Sequence, residues 1–475
     1  MTLLSAAIDT LDSIQPRELC GTVAAVRGLT ILVDDLPLPV GALVRFESPG
    51  RCMHEAAHEA LRGEVVGFDG ARCIVMLFGH STGIAPGMRV IGEQSAQTVG
   101  VGDAMLGRVL DGFARPIDHG PPLLDLMLRP LQPRATQAMR RSRIRDPLPT
   151  GLRAVDGFLT IGRGQRMGIF SAAGVGKSTL MGQIARGSTA DVNVIALIGE
   201  RGREVREFIE ESLGPRGLIR SVVVVATGDE SPLMRVRAAL TASTIAEHFR
   251  DEGRHVLLMM DSVTRFAQAQ RQIGLTVGEP PATRGFTPSV FASLPVLLER
   301  AGAVEGGGSI TGFYAVLVEG DDLDEPVSDT VRGVLDGHMV LSRRLASQGH
   351  FPPIDLLSSI SRLATDVCDR HHVESRRTLL RLLSAYAENE ELITIGAYAR
   401  GSNAECDAAI ALRPRLLQFL RQGVEERADY PATCRTMIEL CGAAEQLLSR
   451  PATGASGVAA SAQPASVNGA ARRGR

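Results

Sequence analysis

The run Ser171-Ala-Ala-Gly174-Val175-Gly176-Lys177-Ser178-Thr179 sets glycines, one lysine and, directly after it, two hydroxyls at the spacing of a phosphate-binding loop. Glycines let the backbone wrap an anion so that successive N–H groups point at it, and the hydroxyl after the lysine can ligate Mg²⁺. Lys177 is the single lysine of the 475-residue chain; the rest of its 51 basic residues are arginine. A bias toward arginine codons acts wherever the swap is tolerated. The position it spared is one where a slim ammonium must thread between β- and γ-phosphates, for which a planar guanidinium fork is too wide. Ser171 stands where the usual pattern has its first glycine, while the later glycines are kept. Gly174, Val175, Gly176, Lys177, Ser178 and Thr179 are therefore the expected binders of ATP.

Two further stretches supply carboxylates. The apolar run His255–Met260 ends in Asp261, at the C-terminal end of a buried strand, where open α/β sheets bind their ligands. Ser178 and Asp261 are the expected Mg²⁺ residues, Asp261 through water; Asp261 can also sit at the start of the next helix as a cap. The strand-like Val192–Ile198 runs directly into Gly199-Glu200-Arg201-Gly202-Arg203-Glu204. Glu200 is the candidate base that polarises an attacking water, and Arg201 stands beside it as a candidate catalytic cation. Spacing alone leaves Glu204, one helical turn on, as an alternative base.

The elements that carry these residues follow from periodicity. Residues 151 to about 365 alternate apolar strands (Met167–Phe170, Val192–Ile198, Ser221–Ala226, His255–Met260, Gly312–Val318) with helix-length segments, which predicts an α/β domain with a mostly parallel sheet. Ahead of it, short β-prone runs at Gly21–Val26, Leu29–Val33, Leu43–Phe46, Gly63–Phe68 and Cys73–Phe78 predict a small β-barrel. Residues 366–448 are helical in pattern. The expected organisation is an N-terminal docking helix over 1–18, the barrel over 19–95, a P-loop ATPase domain over 96–365, the helical domain over 366–448 and an Ala/Ser/Gly-rich disordered tail over 449–475. Leu4, Ile8, Leu11 and Ile14 give the first segment an apolar face, and so short a helix is marginal without a partner or a domain to pack on.

Three groups of residues add a resemblance. Gly199-Glu-Arg-Gly-Arg-Glu-Val205, Asp261-Ser-Val-Thr-Arg-Phe266 and Pro352-Pro-Ile-Asp355 with Ser359-Ile-Ser-Arg362 resemble the rotary ATPase catalytic-subunit superfamily. Glu319-Gly-Asp-Asp-Leu-Asp-Glu-Pro326 and Arg332-Gly-Val-Leu-Asp-Gly-His-Met-Val-Leu-Ser-Arg343 are similar to its type III protein-export branch, in a form closer to the flagellar members than to injectisomes. The resemblance spans Leu106 to Ser402 and implies a RecA-like core in a homohexameric ring, with ATP between subunits. It also implies that Arg362 reaches the neighbour's γ-phosphate as a catalytic finger and that Phe351 stacks on adenine. The implied partners are a stator or regulator protein at the N-terminal helix, export-gate and stalk proteins, export substrates and their chaperones. The implied location is the cytoplasm, peripheral to the inner face of the membrane.

Composition limits the other readings. Net charge is −2 and aromatics are 4%, so the basic, stacking face of an RNA-translocating ring is not expected, nor any nucleic-acid partner. No apolar run approaches the ~20 residues of a membrane span, and the first residues carry acids rather than the positive start of a secretory signal. Seven cysteines without a Cys-x-x-Cys pair suggest reduced thiols, and the adjacent His371 and His372 make a poor metal site. A rotary ATP synthase subunit fits the export-type motifs less well, and a non-catalytic ring subunit would have no need of Glu200.

Overall fold

The computed structural model describes residues 18–47, 61–318 and 322–449. All but the last residue of the proposed docking helix and almost all of the expected disordered tail lie outside these residues, as do Glu319, Gly320 and Asp321.

Six antiparallel strands, β1 (Cys20–Arg27), β2 (Thr30–Asp34), β3 (Leu43–Glu47), β4 (Arg62–Asp69), β5 (Arg72–Leu77) and β6 (Arg89–Gln94), close a barrel in the order β1-β2-β5-β4-β3-β6. Alternate residues such as Val23, Ile31, Val33, Val44, Val65 and Val75 fill its interior. The closing strand β6 had no clear signal in the sequence. Only Val90 and Ile91 are buried along it, and it gains its order from pairing with both β1 and β3.

The core sheet is built from β8 (Val109–Leu110), β10 (Arg166–Ser171), β11 (Val192–Ile198), β12 (Ser221–Ala226), β13 (His255–Asp261), β14 (Gly302–Ala303), β15 (Ser309–Leu317), β16 (Gly337–Leu341) and β17 (Ile354–Ser361). The short pair β7 (Thr98–Val101) and β9 (Met127–Pro130) stands apart from it. Strand order in the core is β17-β16-β10-β15-β13-β11-β12-β8, all parallel except β17, with β14 beside β15. Helices cover both faces, so β11, β12 and β13 are buried along nearly their whole length and read as continuous apolar runs. The fold is the α/β class with a RecA-like P-loop core, an N-terminal barrel and C-terminal helices. Strands β16 and β17 were not anticipated: β16 is a five-residue strand interrupted in its apolar pattern by His338, and β17 carries three serines and leaves Leu357 and Ile360 exposed.

Parallel strands bring their C-terminal ends to one edge. Register pairs Ser171 with Leu317 and with Leu341, and Leu197 with Asp261. The loops after β10, β11 and β13 therefore leave the sheet side by side. Beyond the sheet, helices Arg370–Thr394, Ala404–Leu420 and Tyr430–Leu448 pack on one another, each started by a side-chain cap from Asp369, Asn403 or Asp429. The loop before the last helix is tied back to the core: Gln183 donates its amide to the carbonyls of Gly423 and Val424, and Arg186 to Val424.

Barrel and core are joined through charge as well as apolar packing. Arg237, on helix Pro232–Asp251 of the core, is buried against the Phe113 ring at 4.0 Å and donates to Gln97. Burial pushes its pKa down to about 10 and pushes Glu64 of β4 above the usual carboxylate value, while each charge favours the ionised state of the other. Arg237→Ala leaves Glu64 buried without its cation, so a loss of about 3 kcal/mol or more is expected at pH 8. The loss should be smaller at pH 5, where Glu64 can take up a proton. Denaturant titrations at the two pH values read the difference; an equal and small loss at both would mean that the pair does not join the domains.

Candidate nucleotide site

After β10 the chain turns through Gly174 and Gly176, whose φ angles of +77° and +101° lie in the left-handed region. A Cβ at either would meet nothing, so the glycines serve the turn itself and leave open space above it. Gly176 caps helix Lys177–Gly187 without using a side chain, so the first N–H groups of that helix face the same space. A helix N-terminus with a bend of backbone N–H groups is an anion site by construction. Val175 departs from its neighbours, because its side chain is buried in the core and only its backbone faces the loop. The Ser171 hydroxyl is buried without a partner.

Above the loop lies a cleft of about 430 Å³, lined among others by Gly174, Gly176, Lys177, Ser178, Thr179, Glu200, Arg201, Glu204 and Arg265. The Lys177 ammonium contacts Asp261 Oδ1 and stands 3.8 Å from Glu200 Oε1. All three side chains are withdrawn from water, at 11%, 16% and 3% exposure for Lys177, Glu200 and Asp261. Two buried acids therefore share one ammonium. Desolvation, then the Asp261 charge, pushes Glu200 up to about 7, with Lys177 opposing and Glu204 adding to the rise. Glu204 moves the other way: its hydrogen bond with Glu200 holds it below the usual carboxylate value. The two acids that spacing left equivalent thus differ. Glu200 is the inner one, with a buried Oε1 that accepts no hydrogen bond, and Glu204 is the outer one, paired with Arg201 at 3.2 Å.

The cleft brings together Lys177, Ser178, Thr179, Glu200, Arg201 and, beneath Lys177, Asp261. It does not bring Phe351 or Arg362. Phe351 lies at the same sheet edge, three residues before the Ile354 that pairs with Leu341, and is 47% exposed. Its carbonyl accepts from the N–H of Gln422, which sets it beside the Gln422–Val424 loop. Arg362 follows Ser361, which pairs with Gly337, itself level with Met167 near the start of β10. Four residues at ~3.3 Å per residue separate that level from Ser171, so Arg362 sits at the far edge of its own sheet. It is exposed there and has no ion-pair partner among the described residues.

Arg265 was not singled out from the sequence. It belongs to the Asp261-Ser-Val-Thr-Arg265 run, on the first turn of helix Val263–Thr276, and its buried Nε has no partner. A Cβ at Gly199, where φ is +73°, would approach its side chain to 2.9 Å, so only glycine lets Arg265 reach over the cleft floor. Its position four residues beyond Asp261 was the available signal.

His372 is accounted for structurally: its Nε2 bonds the Gly157 carbonyl at 2.8 Å. Six cysteines are free thiols, and no cluster of three or more potential metal ligands occurs, among the described residues. No helix among them is long and apolar enough to cross a membrane.

Residues 151–361 match the ATP synthase alpha/beta family, nucleotide-binding domain, and residues 368–439 match the C-terminal domain of the type III secretion ATPase EscN. A flagellum-specific ATP synthase of Treponema pallidum is 51% identical over 430 residues, covering 90% of this chain and 94% of that protein. A type 3 secretion system ATPase of Xanthomonas euvesicatoria is 53% identical over 373 residues, covering 78% and 84%. The assembled ATPase EscN of enteropathogenic E. coli, in complex with its central stalk EscO, superposes with a TM-score of 0.81 at 40% identity, covering 89% of this chain and 100% of that one. The cleft and the sheet that carries it thus belong to a chain of the ATP synthase alpha/beta family, in the group formed by the flagellum-specific and type 3 secretion ATPases.

Proposed function

We propose that this export ATPase hydrolyses Mg-ATP in the Lys177 cleft, in a ring in which each site is completed by the neighbouring subunit. The observation that carries the reading is the separation of Lys177 and Glu200 from Arg362 by the length of the sheet. A guanidinium at the far edge cannot serve its own chain's nucleotide, yet it is free to serve the next one.

Within the cleft, the N–H groups of Gly174–Thr179 and the Lys177 ammonium bind the triphosphate. Ser178, with Asp261 through water, would hold Mg²⁺, and this donor set of hydroxyl and carboxylate suits a hard cation. Mg²⁺ supplies charge neutralisation at the phosphates. Glu200, with one oxygen unpartnered, accepts the proton of the attacking water, and Arg201 holds the outer acid Glu204 beside it. Arg265, which also lines the cleft, adds a positive charge to it. Phe351 offers an aromatic face to the purine, and Arg362 from the next subunit neutralises charge that develops in transfer.

Relatives named flagellum-specific ATP synthase cover nearly the whole chain, which supports flagellar protein export as the process. The 53% identity to the Xanthomonas protein favours an injectisome as the second reading. The EscN–EscO assembly supports a hexameric ring around a central stalk protein. The ring would work in the cytoplasm at the inner face of the membrane, with residues 1–18 docking a stator and the export gate, substrates and chaperones beyond it.

Lys177→Arg is expected to lose turnover almost as fully as Lys177→Ala, measured as phosphate release with each variant shown to be folded. Near-normal turnover in the arginine variant would undo the size argument for this position.

Glu200 acts as a base only when ionised, so kcat/KM should rise with pH through about 7, its value in the free protein. Glu204→Gln removes a group that raises Glu200, so this limb should move to lower pH while turnover survives. Glu200→Gln should bind ATP and hydrolyse it orders of magnitude more slowly. A Glu204→Gln enzyme that is the less active of the two would transfer the base to Glu204.

Arg362→Ala should bind ATP and lose ~10³-fold or more in rate. Mixing it with Glu200→Gln subunits creates interfaces with both residues intact, and partial activity should return. Verified mixed rings without recovery, under conditions where wild-type subunits diluted into inactive rings still turn over, would show that Arg362 works within its own chain.

A further inference from the structure

A cavity of about 670 Å³ opens at the sheet edge opposite the nucleotide cleft, lined by Arg141, Arg143, Arg145, Arg166, Asp336 and Asp366 among others. Two of its arginines are already engaged. Arg141 donates to the carbonyls of Ala301 and Glu299, and Arg166 is held by Asp336 and Glu299. The other two, Arg143 and Arg145, flank Ile144, are exposed, and have no ion-pair partner among the described residues. Arg362 adjoins them: its N–H donates to the Asp336 carbonyl at 3.0 Å, and the next residue, Leu363, lines the same cavity. Three guanidinium groups without an ion-pair partner among the described residues thus border one opening, against the single unpaired carboxylate of Asp366. The arginine-rich run Arg140–Arg145, which no stacking aromatics accompany, thus supplies much of the lining of this opening.

The complementary feature lies at the other edge. Glu204, Glu207 and Glu211 follow Glu200 at steps of four, three and four residues, along helix Gly202–Glu207 and the π-helical turn Phe208–Leu213. This spacing keeps them on one side of the helix, running outward from the cleft. Glu204 is paired with Arg201 and Glu210 with Arg206. Glu207, which lines the cleft, and Glu211 are exposed and have no ion-pair partner among the described residues. Arg203, also exposed, is the one unpaired cation on the same helix, which leaves the outer stripe acidic.

We propose that Arg143 and Arg145 form a seat for Glu207 and Glu211 of a second copy of this chain, and that this seat sets the approach of Arg362 to the neighbour's nucleotide. The inference rests on Arg362 acting across the interface. A subunit that presents Arg362 to the next cleft carries Arg143 and Arg145 with it, because the cavity joins them. The outer rim of that cleft is where Glu207 and Glu211 stand. Arg143 and Arg145 are positioning residues: they touch the neighbour's helix, not the reacting atoms. Charge pairs of this kind gain strength as the interface excludes water and suppress wrong registers by like-charge repulsion.

Charge reversal in the full-length chain tests the seat. Arg143→Glu with Arg145→Glu, and separately Glu207→Arg with Glu211→Arg, should each raise the protein concentration needed for assembly at least tenfold in sedimentation velocity with ATP and Mg²⁺. Each should remain folded by circular dichroism. An equimolar mixture of the two double variants should assemble, because in an alternating ring every arginine pair again meets a glutamate pair. The quadruple variant should assemble alone for the same reason. Normal assembly of either double variant overturns the seat, and so does failure of both the mixture and the quadruple variant. Recovery of activity in the Arg362→Ala and Glu200→Gln mixture, without rescue by charge reversal, would remove the seat and leave the finger standing. No recovery in that mixture would remove the finger reading itself.

Discussion

Two buried carboxylates sharing one ammonium is the constraint around which the core is arranged. Asp261 and Glu200 come from different strands, and neither could lie so close to the other without Lys177 between them. The ammonium in turn needs somewhere to stand, and the left-handed Gly174 and Gly176 put it at the start of a helix whose N–H groups repel a cation. Positive charge is thus held at a positive helix end by two acids. A polyanion entering the cleft relieves the repulsion and replaces the acids as the partner of Lys177. The same exchange frees Asp261 and leaves Glu200, the proposed base, more easily protonated, so its electrostatics depend on whether a polyanion occupies the cleft.

A parallel sheet imposes the rest of the geometry. It gathers the loops after β10, β11 and β13 at one edge and sends whatever follows β17, which runs antiparallel to its neighbour β16, to the other. An antiparallel final strand thus sets Arg362 at the edge away from the cleft, where the proposed cross-subunit role needs it. The two edges also differ in charge: acids trail outward from the cleft along residues 200–211, and unpaired arginines border the opposite opening. Such polarity suits head-to-tail contact, in which unlike surfaces meet and a closed ring leaves none exposed.

What was legible in the sequence follows the same physics. Strands β11, β12 and β13 are buried on both faces, so their apolar runs stand out and their boundaries were read closely. Strand β17 lies at the sheet border with three serines, and β6 owes its order to neighbours on both sides, so neither carried a local signal. At the cleft, the glycine turn and the strand ending in Asp261 were legible because a glycine-rich loop motif and a buried apolar run are both local signals. The contrast between Glu200 and Glu204 was not. It comes from burial and from Asp261, which lies 61 residues away along the chain and beside Glu200 only once β11 and β13 pair. Arg265 was hidden for a related reason: its reach depends on the absence of a side chain at Gly199.

The helical domain is drawn into the site by hydrogen bonds from side chains that no motif flags. Gln183, two turns into the P-loop helix, holds the carbonyls of Gly423 and Val424, while Gln422 bonds Gly151 and Glu426 through its amide and Phe351 through its backbone. Arg153 grips the same loop at Phe419, Arg421 and Glu426. Residues 419–426 are therefore attached at once to the P-loop helix, to the segment before β17 and to the last two helices. A displacement of the P-loop helix by a few tenths of an ångström would strain several of these bonds together. Because each bond is individually worth only about 1 kcal/mol, the cheapest response is for the loop to move as a unit and carry the helical domain with it. Residues 419–426 thereby tie the P-loop helix to helices that lie outside the sheet altogether.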